Sequence, residues 1–375
     1  MHIDPSFWLN RRVLVTGHTG FKGIWLSAWL SELGADVVGF ALPPGHAASL
    51  YYLADIDKRV ANVTGDIRDR DLLVRTVRQH QPEVVFHLAA QSLVLPGIKD
   101  PVLTFESNVM GTLNLLEAAR HDRDLAALLV VTSDKVYAPS EQPRREGDPL
   151  GGHDPYAASK AAAELVAATY ARLYLTPGDG IGVATARAGN VVGGGDFSPH
   201  RLFPDLVRAA YDDRVARIRN PEATRPWQHV LDALHGYLVL AQELARQPEA
   251  FKGAWNFGPL DEREWTVGQV ADEAMPILGG SWAPDPSAGS GAKAGAEAPV
   301  LRLASDRAVR QLAWRPVLDT HRAIAWTAAD YREFVEEQRA DWLFRRIDAF
   351  AGRGGDHAAT KRRRLSIKGD RHAVG

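Results

Sequence analysis

The fold is decided by one stretch near the start of the chain, Val13–Gly23, which reads VLVTGHTGFKG. Its first four residues form an apolar, β-branched run that predicts a buried strand. Its glycines follow a G-x-x-G-x-x-G spacing, and the helical pattern of Lys22–Leu33 continues from them. A strand, a glycine turn and a helix in this order are typical of a dinucleotide-binding loop, in which a pyrophosphate sits at the helix N-terminus. The cofactor contacts predicted in this loop are Gly17, His18, Thr19, Gly20, Phe21, Lys22 and Gly23.

Outward from this loop, short apolar runs alternate with helical patterns. Further strands are predicted at 37–40, 62–66, 84–88 and 127–132, and further helices at 72–80 and 104–120. This alternation indicates an α/β fold, a doubly wound parallel sheet of the Rossmann type. After about residue 185 the pattern becomes irregular, which predicts a smaller mixed C-terminal substrate lobe.

The boundaries follow from these changes of pattern. A cofactor-binding Rossmann domain is predicted at 1–187 and 226–262, a substrate-binding lobe at 188–225 and 263–345, and a disordered tail at 346–375. The segment 284–299 is rich in Ala, Gly and Ser and is expected to form a mobile loop. The basic run at 361–364 is interpreted as part of a solvated tail rather than as a nucleic-acid site.

The composition excludes several classes of protein. The chain has 375 residues, a formal net charge of −2 and no cysteine. Its small charge gives no field that would attract nucleic acid or a membrane surface, and the lack of cysteine excludes disulfides and thiolate metal sites. No apolar run approaches the roughly 20 residues that span a bilayer, so a cytoplasmic protein is expected. The thirteen histidines lack ligand spacing, so no metal is predicted.

The first indication of the chemistry is the segment YAASK at 156–160, which opens a helix. Tyr156 and Lys160 lie four residues apart, on the same helix face. Because a nearby ammonium favours the phenolate, we expect the pKa of Tyr156 to lie below its usual value of about 10. Such a tyrosinate can take a proton from a hydroxyl while nicotinamide accepts hydride from the same carbon.

A second indication follows the strand that ends at Thr132, where the chain continues Ser133-Asp134-Lys135. Ser133 can hydrogen-bond the reacting hydroxyl, and the adjacent acid and amine indicate a further proton transfer. Elimination of water uses both: once carbon 4 of a hexose is oxidised, Lys135 removes the carbon-5 proton and Asp134 protonates the hydroxyl leaving carbon 6. A lysine base requires a lowered pKa. The alternative is that Asp134 and Lys135 form an ordinary surface turn.

These segments resemble the CDP-glucose 4,6-dehydratases, within the extended short-chain dehydrogenase/reductases. The resemblance covers roughly residues 5–345, and its most specific strings are HTGFKG and SDK. The matching stretches are VTGHTGFKGIWL (15–26), HLAAQSLV (87–94), NVMGTLNLLEAAR (108–120), TSDKVY (132–137), DPLGGHDPYAASK (148–160), ARAGNVVGGGD (186–196) and TRPWQHVLD (224–232). The resemblance implies NAD as the cofactor, reduced and reoxidised in each turnover, and a nucleotide sugar as the substrate.

The resemblance also assigns the site residues. The catalytic set is Ser133, Asp134, Lys135, Tyr156 and Lys160. The cofactor contacts beyond the glycine loop are Asp66 and Ile67 at the adenine, Leu88, Ala89 and Ala90 at the ribose, and Thr132, Tyr156 and Lys160. The substrate contacts are Gln91, Asn190, Arg201 and Arg225, the two arginines pairing with the pyrophosphate. Trp227 is the tryptophan best placed to reach the site. Helices at 104–120 and 157–173 are expected to pair across a homodimer or a higher homo-oligomer.

Two stretches depart from the family pattern. Leu95–Ile98 replaces a segment that borders the nicotinamide, and Ala294–Ala298 replaces a Pro-His-Glu-Ala segment that helps to close the substrate site. Two alternatives stay open. One is a nucleotide-sugar epimerase or related oxidoreductase, and the other is a catalytically weakened paralogue that binds NAD as a sensor or scaffold.

Overall fold

The computed structural model describes residues 1–45, 49–122, 124–175, 180–286, 300–337 and 340–353. Its strands, in chain order, are β1 Arg12–Thr16, β2 Asp36–Ala41, β3 Ala61–Thr64, β4 Val84–His87, β5 Ala127–Val131, β6 Gly182–Ala188, β7 Asn190–Val192, β8 Ala216–Ile218, β9 Thr224–Arg225, β10 Trp227–His229, β11 Gly253–Phe257, β12 Trp265–Thr266 and β13 Trp282–Pro284.

The helices connect these strands and cover them. They are α1 Pro5–Trp8, α2 Phe21–Glu32, α3 Leu50–Leu53, α4 Ile56–Arg59, α5 Arg70–His80, α6 Val94–Lys99, α7 Pro101–Phe105, α8 Gly111–Ala119, α9 Pro155–Tyr170, α10 Leu202–Tyr211, α11 Val230–Arg246, α12 Pro248–Phe251, α13 Val267–Leu278, α14 Asp306–Gln311, α15 Thr320–Glu337 and α16 Asp341–Arg353. Within the described residues, two π-helical turns, Glu106–Met110 and Ala171–Leu175, and a 3₁₀ turn, Asp134–Val136, complete the set.

The central sheet has the strand order β11-β6-β5-β4-β1-β2-β3, and each neighbouring pair is parallel. Apolar side chains on its two faces form separate cores. One core is built with α2, α11 and α16, and the other with α5, α8 and α9. This arrangement confirms the predicted doubly wound parallel sheet. It also brings the carboxyl ends of β1, β4, β5 and β6 to one edge, where ligands bind in such sheets.

A third core lies in the second half of the chain, where α10, α13 and α15 pack around Trp227 and Trp265. The small strand pairs β7–β10, β9–β12 and β8–β13 belong to the same region. Leu312, Trp314 and Leu318, which we assigned to the substrate lobe, instead pack into the first core beside α11. The division into two domains stays a prediction.

The strands predicted in the first half of the chain are present within two residues of their predicted ends. The helix predicted at 104–120 begins earlier, at Pro101, because the Asp100 side chain accepts a hydrogen bond from the backbone amide of Leu103 and caps the helix. It is also interrupted by the π-helical turn Glu106–Met110. The segment Leu95–Ile98, treated as an intervening loop, lies within α6.

The prediction of a disordered tail from residue 346 is wrong for 346–353, which continue α16. Ile347 and Phe350 lie three residues apart on one face of this helix and are buried in the first core. The Phe350 ring meets Trp29 of α2 edge-on, with ring centroids 5.6 Å apart. Apolar residues at this spacing stabilise a packed helix.

Three further predictions fall wholly or partly outside the described residues. They concern the tail from 354 onward with its basic run, the replaced segment Ala294–Ala298, and most of the expected loop at 284–299. Pro284 itself ends β13, which pairs with β8. Within the described ranges, no helix combines the length and the apolar character needed to cross a membrane. The cytoplasmic location stays a prediction.

Candidate active site

The glycine loop at the end of β1 is shaped by two close backbone approaches. Gly17 has a φ of 77°, in the left-handed region, and a Cβ there would lie 2.7 Å from the amide nitrogen of Ala89. A Cβ on Gly23 would lie 2.1 Å from the carbonyl oxygen of Gly17. Neither position tolerates a side chain. Gly20 precedes α2 and offers no side-chain cap, so the first amides of this helix are left for a ligand.

His18 is buried beneath the loop rather than in the cleft. Its imidazole edge faces the Tyr51 ring, with centroids 5.4 Å apart, and a Cβ on Gly39 would lie 2.2 Å from the imidazole carbons. Burial lowers the pKa of His18 to about 4, so the ring is neutral. The side chain therefore supports the loop from below, which explains the glycine in the middle of β2.

The other residues predicted for the site line a single cleft of about 800 Å³ above the carboxyl edge of the sheet. The cleft runs from the glycine loop, past the end of β5 and the start of α9, to β7, α10 and β8. Arg217 and Arg219, which sequence reasoning missed, also line it. No sequence motif marks a basic side chain in or next to a short strand. The position of these two arginines is therefore evident only from the fold.

The segment after β5 forms the 3₁₀ turn that presents the predicted acid and amine. The Ser133 hydroxyl accepts a hydrogen bond from the Lys135 amide, at 3.2 Å, and donates one to Asp134 Oδ1, at 3.0 Å. Asp134 is only 5% exposed, and its Oδ2 atom has no hydrogen-bond partner among the described residues. Burial raises the pKa of Asp134, opposed by the charge of Lys135 and by the Ser133 hydrogen bond. This carboxyl is thus suited to hold a proton.

The start of α9 fixes the second pair. The Asp154 side chain caps the helix by accepting a hydrogen bond from the Ala157 amide, and Pro155 occupies the first turn. Tyr156 and Lys160 are both buried. The ammonium of Lys160 donates to the carbonyl oxygen of Val131, at 3.0 Å. Burial lowers the pKa of Lys160 to about 8, while Glu164 raises it.

The pKa of Tyr156 differs from our expectation. Burial raises it, and the hydrogen bond with Ser133 and the charge of Arg201 act in the opposite direction. The lowering of this pKa that we ascribed to Lys160 is not observed, and the lysine ammonium donates to the strand carbonyl at Val131. Desolvation outweighs the effect of the neighbouring cations on this pKa.

Lys22 interacts electrostatically with the charged residues of the cleft, which its place in the glycine motif did not predict. Burial and the charges of Arg201 and Lys160 lower its pKa to about 7, while Asp134 and Asp196 raise it. Its amine lies over the Tyr237 ring, 5.9 Å from the centroid. Lys22 therefore belongs to the same charge cluster as the catalytic residues, and together these cations favour an anionic ligand.

The four predicted substrate contacts are held in different ways. Arg201 pairs with Asp196, at 2.9 Å, and donates to the Ser92 hydroxyl, at 3.2 Å. Arg225 donates to its neighbour's carbonyl oxygen at Thr224, and Asn190 begins β7. Gln91 lines the cleft, but its carboxamide bonds Leu93 and Thr104 and so braces the following loop.

Asn108, inside the π-helical turn, was missed by sequence reasoning. Its carboxamide donates to the carbonyl oxygen of Gln91 and to the Ser159 hydroxyl, at 2.9 and 2.8 Å. Gly97 of α6 approaches the same place, since a Cβ there would lie 3.6 Å from the Cβ of Tyr156. A π-helical turn has no simple sequence signature, so this support for α9 becomes visible only in the fold.

A glycine cradle, a tyrosine–lysine pair and an acid–amine pair at one sheet edge define an oxidoreductase-type nucleotide-cofactor site. Comparison with known proteins agrees. The sequence model of the NAD dependent epimerase/dehydratase family matches residues 13–258. The chain is 43% identical to a CDP-glucose 4,6-dehydratase of Salmonella typhimurium, over 84% of this chain and 88% of that protein. This chain belongs to the NAD dependent epimerase/dehydratase family.

Solved structures show the same fold. The dTDP-glucose 4,6-dehydratase of Streptomyces venezuelae, crystallised with NAD, superposes with a TM-score of 0.72, at 27% identity, over 88% of this chain and 99% of that one. A UDP-glucose 4-epimerase of Thermotoga maritima superposes with a TM-score of 0.71 at 21% identity, over 86% of this chain and 99% of that one, which concerns the fold alone. The side-chain-free cradle at Gly17 and Gly23 fits the pyrophosphate of NAD.

The cradle gives a first prediction. Substituting Gly23→Ala places a methyl group against the Gly17 carbonyl and should weaken NAD binding at least about tenfold, since the loop has to open. Isothermal titration of the cofactor-free protein measures this. Gly147→Ala is the matched control, because its Cβ meets nothing within 4 Å. Equal NAD affinity in Gly23→Ala and Gly147→Ala would contradict the assignment of the loop.

Proposed function

We propose that this protein is a nucleotide-sugar 4,6-dehydratase that converts CDP-glucose to CDP-4-keto-6-deoxyglucose with bound NAD. The observation that carries the proposal is the buried Asp134, next to Lys135, in the same cleft as Tyr156 and Lys160. The similarity to the Salmonella typhimurium enzyme over most of both chains supports it.

The proposed chemistry assigns one proton transfer to each group. NAD would supply a hydride acceptor for carbon 4 and, in its reduced form, a hydride donor for carbon 6. The Tyr156 phenolate oxygen takes the proton of the carbon-4 hydroxyl, with Ser133 hydrogen-bonded to it. Lys135 Nζ takes the carbon-5 proton and later returns a proton to carbon 5, and Asp134 gives its proton to the hydroxyl that leaves carbon 6 as water. The net change in the sugar is the loss of one water.

The diphosphate of the substrate is assigned to the basic part of the cleft. Arg201 and Arg225 are the proposed partners, since a guanidinium forms two parallel hydrogen bonds to phosphate oxygens. The Asp196 carboxylate pairs with one side of the Arg201 guanidinium, so the arginine is already oriented before the substrate binds. Asn190 and Gln91 are proposed to border the sugar, Gln91 through the loop that it braces.

The geometry bears on the two alternatives. In an epimerase, Asp134 and Lys135 would have no catalytic role. The alternative interpretation of the two residues themselves was an ordinary surface turn. Asp134 is instead buried, and one of its oxygens has no partner in the part of the chain that the structure describes, which favours the dehydratase. The weakened-paralogue alternative rested on Leu95–Ile98. That segment forms an ordered helix against Tyr156, and an intact tyrosine–lysine pair favours activity.

Incubation with CDP-glucose, UDP-glucose and dTDP-glucose tests the activity and the nucleotide together. We expect mass spectrometry to show loss of one water, fastest from CDP-glucose. A product of unchanged mass with an inverted hydroxyl would establish an epimerase. NAD binding without turnover of any of the three sugars would favour the sensor or scaffold.

Lys135→Ala tests the assignment of the base. We expect the variant to form NADH from substrate, seen as a rise in its absorbance, but to eliminate water at least about 100-fold more slowly than the wild-type protein. Tyr156→Phe is the matched comparison, since it should suppress the NADH signal and the elimination alike. Elimination at the wild-type rate in Lys135→Ala would place the base elsewhere.

We also propose that the protein is a homodimer paired through α7, α9 and the π-helical turn between α7 and α8. Apolar side chains stand exposed on this face, among them Val102 at 67%, Met110 at 48% and Leu165 at 61%. Exposed apolar groups gathered on neighbouring helices are characteristic of an interface between protein chains.

Leu165→Glu should convert the dimer to a monomer at micromolar concentration, because it places a charge in the middle of this face. Light scattering coupled to size-exclusion chromatography measures the mass. Val215→Glu is the control, since Val215 is an exposed apolar residue that follows α10, outside the proposed face. A wild-type mass that matches one chain, or a dimer that survives in Leu165→Glu, would contradict this interface.

A further inference from the structure

A fully buried ion pair lies directly beneath the catalytic residues. Arg187 of β6 donates two parallel hydrogen bonds to Glu164 of α9, both at 2.9 Å, and each side chain is only 4% exposed. The hydroxyls of Thr132 and Thr185 donate to the two carboxylate oxygens. Each oxygen of Glu164 thus accepts two hydrogen bonds.

Stability alone does not account for such a pair. Desolvation of two charges offsets most of their attraction, and apolar groups of the same volume are often as stabilising. The structure around the pair points to the catalytic residues instead. Glu164 lies one helical turn beyond Lys160, and Thr132 immediately precedes the turn that presents Ser133, Asp134 and Lys135.

Arg187 extends this connection to the far side of the same turn. Its Nη1 atom donates to the Tyr137 hydroxyl, at 2.8 Å, and that hydroxyl donates to Asn256 Oδ1 of β11, at 2.7 Å. Residues on both sides of the Ser133–Lys135 segment are therefore tied to one ion pair. The pair joins α9, β5, β6 and β11 at the floor of the cleft.

The charge of Glu164 acts on Lys160. Burial lowers the pKa of Lys160 to about 8, and Glu164 is the group that opposes this. Around Lys160, Lys22 of α2 is a basic neighbour, Tyr156 precedes it on α9, and His87 of β4 is neutral because burial lowers its pKa to about 3. Glu164 is the negative charge in this set.

We propose that Glu164, held by Arg187, is a positioning residue that keeps Lys160 protonated and fixes the Ser133–Lys135 turn against α9. It does not line the cleft, and it acts through Lys160 and Thr132, which do. The inference rests on the proposed function, because a protonated Lys160 matters only if Tyr156 is the group that removes the hydroxyl proton.

The sign of the effect follows from the charges. The ammonium is the form that Glu164 stabilises, so neutralising Glu164 lowers the pKa of Lys160, and the amine loses its proton at lower pH. In Glu164→Gln we expect the alkaline limb of the kcat profile on CDP-glucose to move down by about one pH unit. The KM should change by less than about twofold, since no substrate contact is lost.

The test combines this profile with direct titration of Lys160. The ¹⁵N resonance of its Nζ, assigned with Lys160→Arg, is followed against pH in the cofactor-free protein, where it should titrate about one unit lower in Glu164→Gln. The control is Glu243→Gln, which alters a buried carboxylate that pairs with Arg246 on α11, remote from the cleft. Glu243→Gln should leave both the kcat profile against pH and the titration of Lys160 unchanged.

The double variant Glu164→Gln/Arg187→Met keeps the test decisive if the single variant does not fold, because it leaves no unpaired buried charge. Because it also removes the positive charge of Arg187, it should shift both titrations in the same direction as Glu164→Gln but by less. Lowered thermal stability with unmoved titrations would reduce the pair to a structural role and overturn the inference. A wild-type protein inactive on all three sugars would instead refute the proposed function. The Nζ titration would then still decide whether Glu164 keeps Lys160 protonated.

Discussion

Ionisable groups at the carboxyl edge of the sheet are held away from bulk water. A group there stays charged only if it has a partner, and otherwise it becomes neutral. The structure shows both outcomes. His18 and His87 are buried and neutral, and they act as hydrogen-bonded or packed supports. Lys160 is buried with a strand carbonyl and Glu164 for partners. Asp134 is buried with its pKa raised. The roles proposed for these residues all follow from this single constraint.

The same constraint explains why the tyrosine–lysine spacing was an incomplete guide. Four residues on a helix fix which face two side chains share, and that part of the prediction is confirmed. The spacing does not determine how far the phenol is removed from water or where the amine donates its hydrogen bonds. Both depend on β5, whose last residue, Val131, binds the Lys160 ammonium. The direction of the Tyr156 pKa therefore required the fold.

Much of the fold could be predicted because its signals are local. The glycines of the loop are recognisable because a side chain at Gly17 or Gly23 would collide with the backbone. Buried parallel strands appear as short apolar runs. The features that escaped prediction depend on contacts between distant segments. His18 fits under the loop because Gly39 lacks a side chain, and Asn108 reaches α9 through a π-helical turn. None of these contacts leaves a pattern in the neighbouring sequence.

The C-terminal helix illustrates this best, because the residues predicted to be disordered help to hold the cleft. Arg346 of α16 bonds the buried Asp330 of α15, and a Cβ on Gly194 would meet Asp330 and Trp342 at 2.5 and 2.6 Å. The next residue, Tyr331, donates its hydroxyl to the Asp196 carbonyl, and the Asp196 carboxylate pairs with Arg201. The orientation of a cleft arginine is thus connected, through side chains at successive positions of α15, to the packing of α16. The sequence of this segment is charged, as in a solvated tail. It differs from a tail because its charges have partners in the fold, as Arg346 has in Asp330.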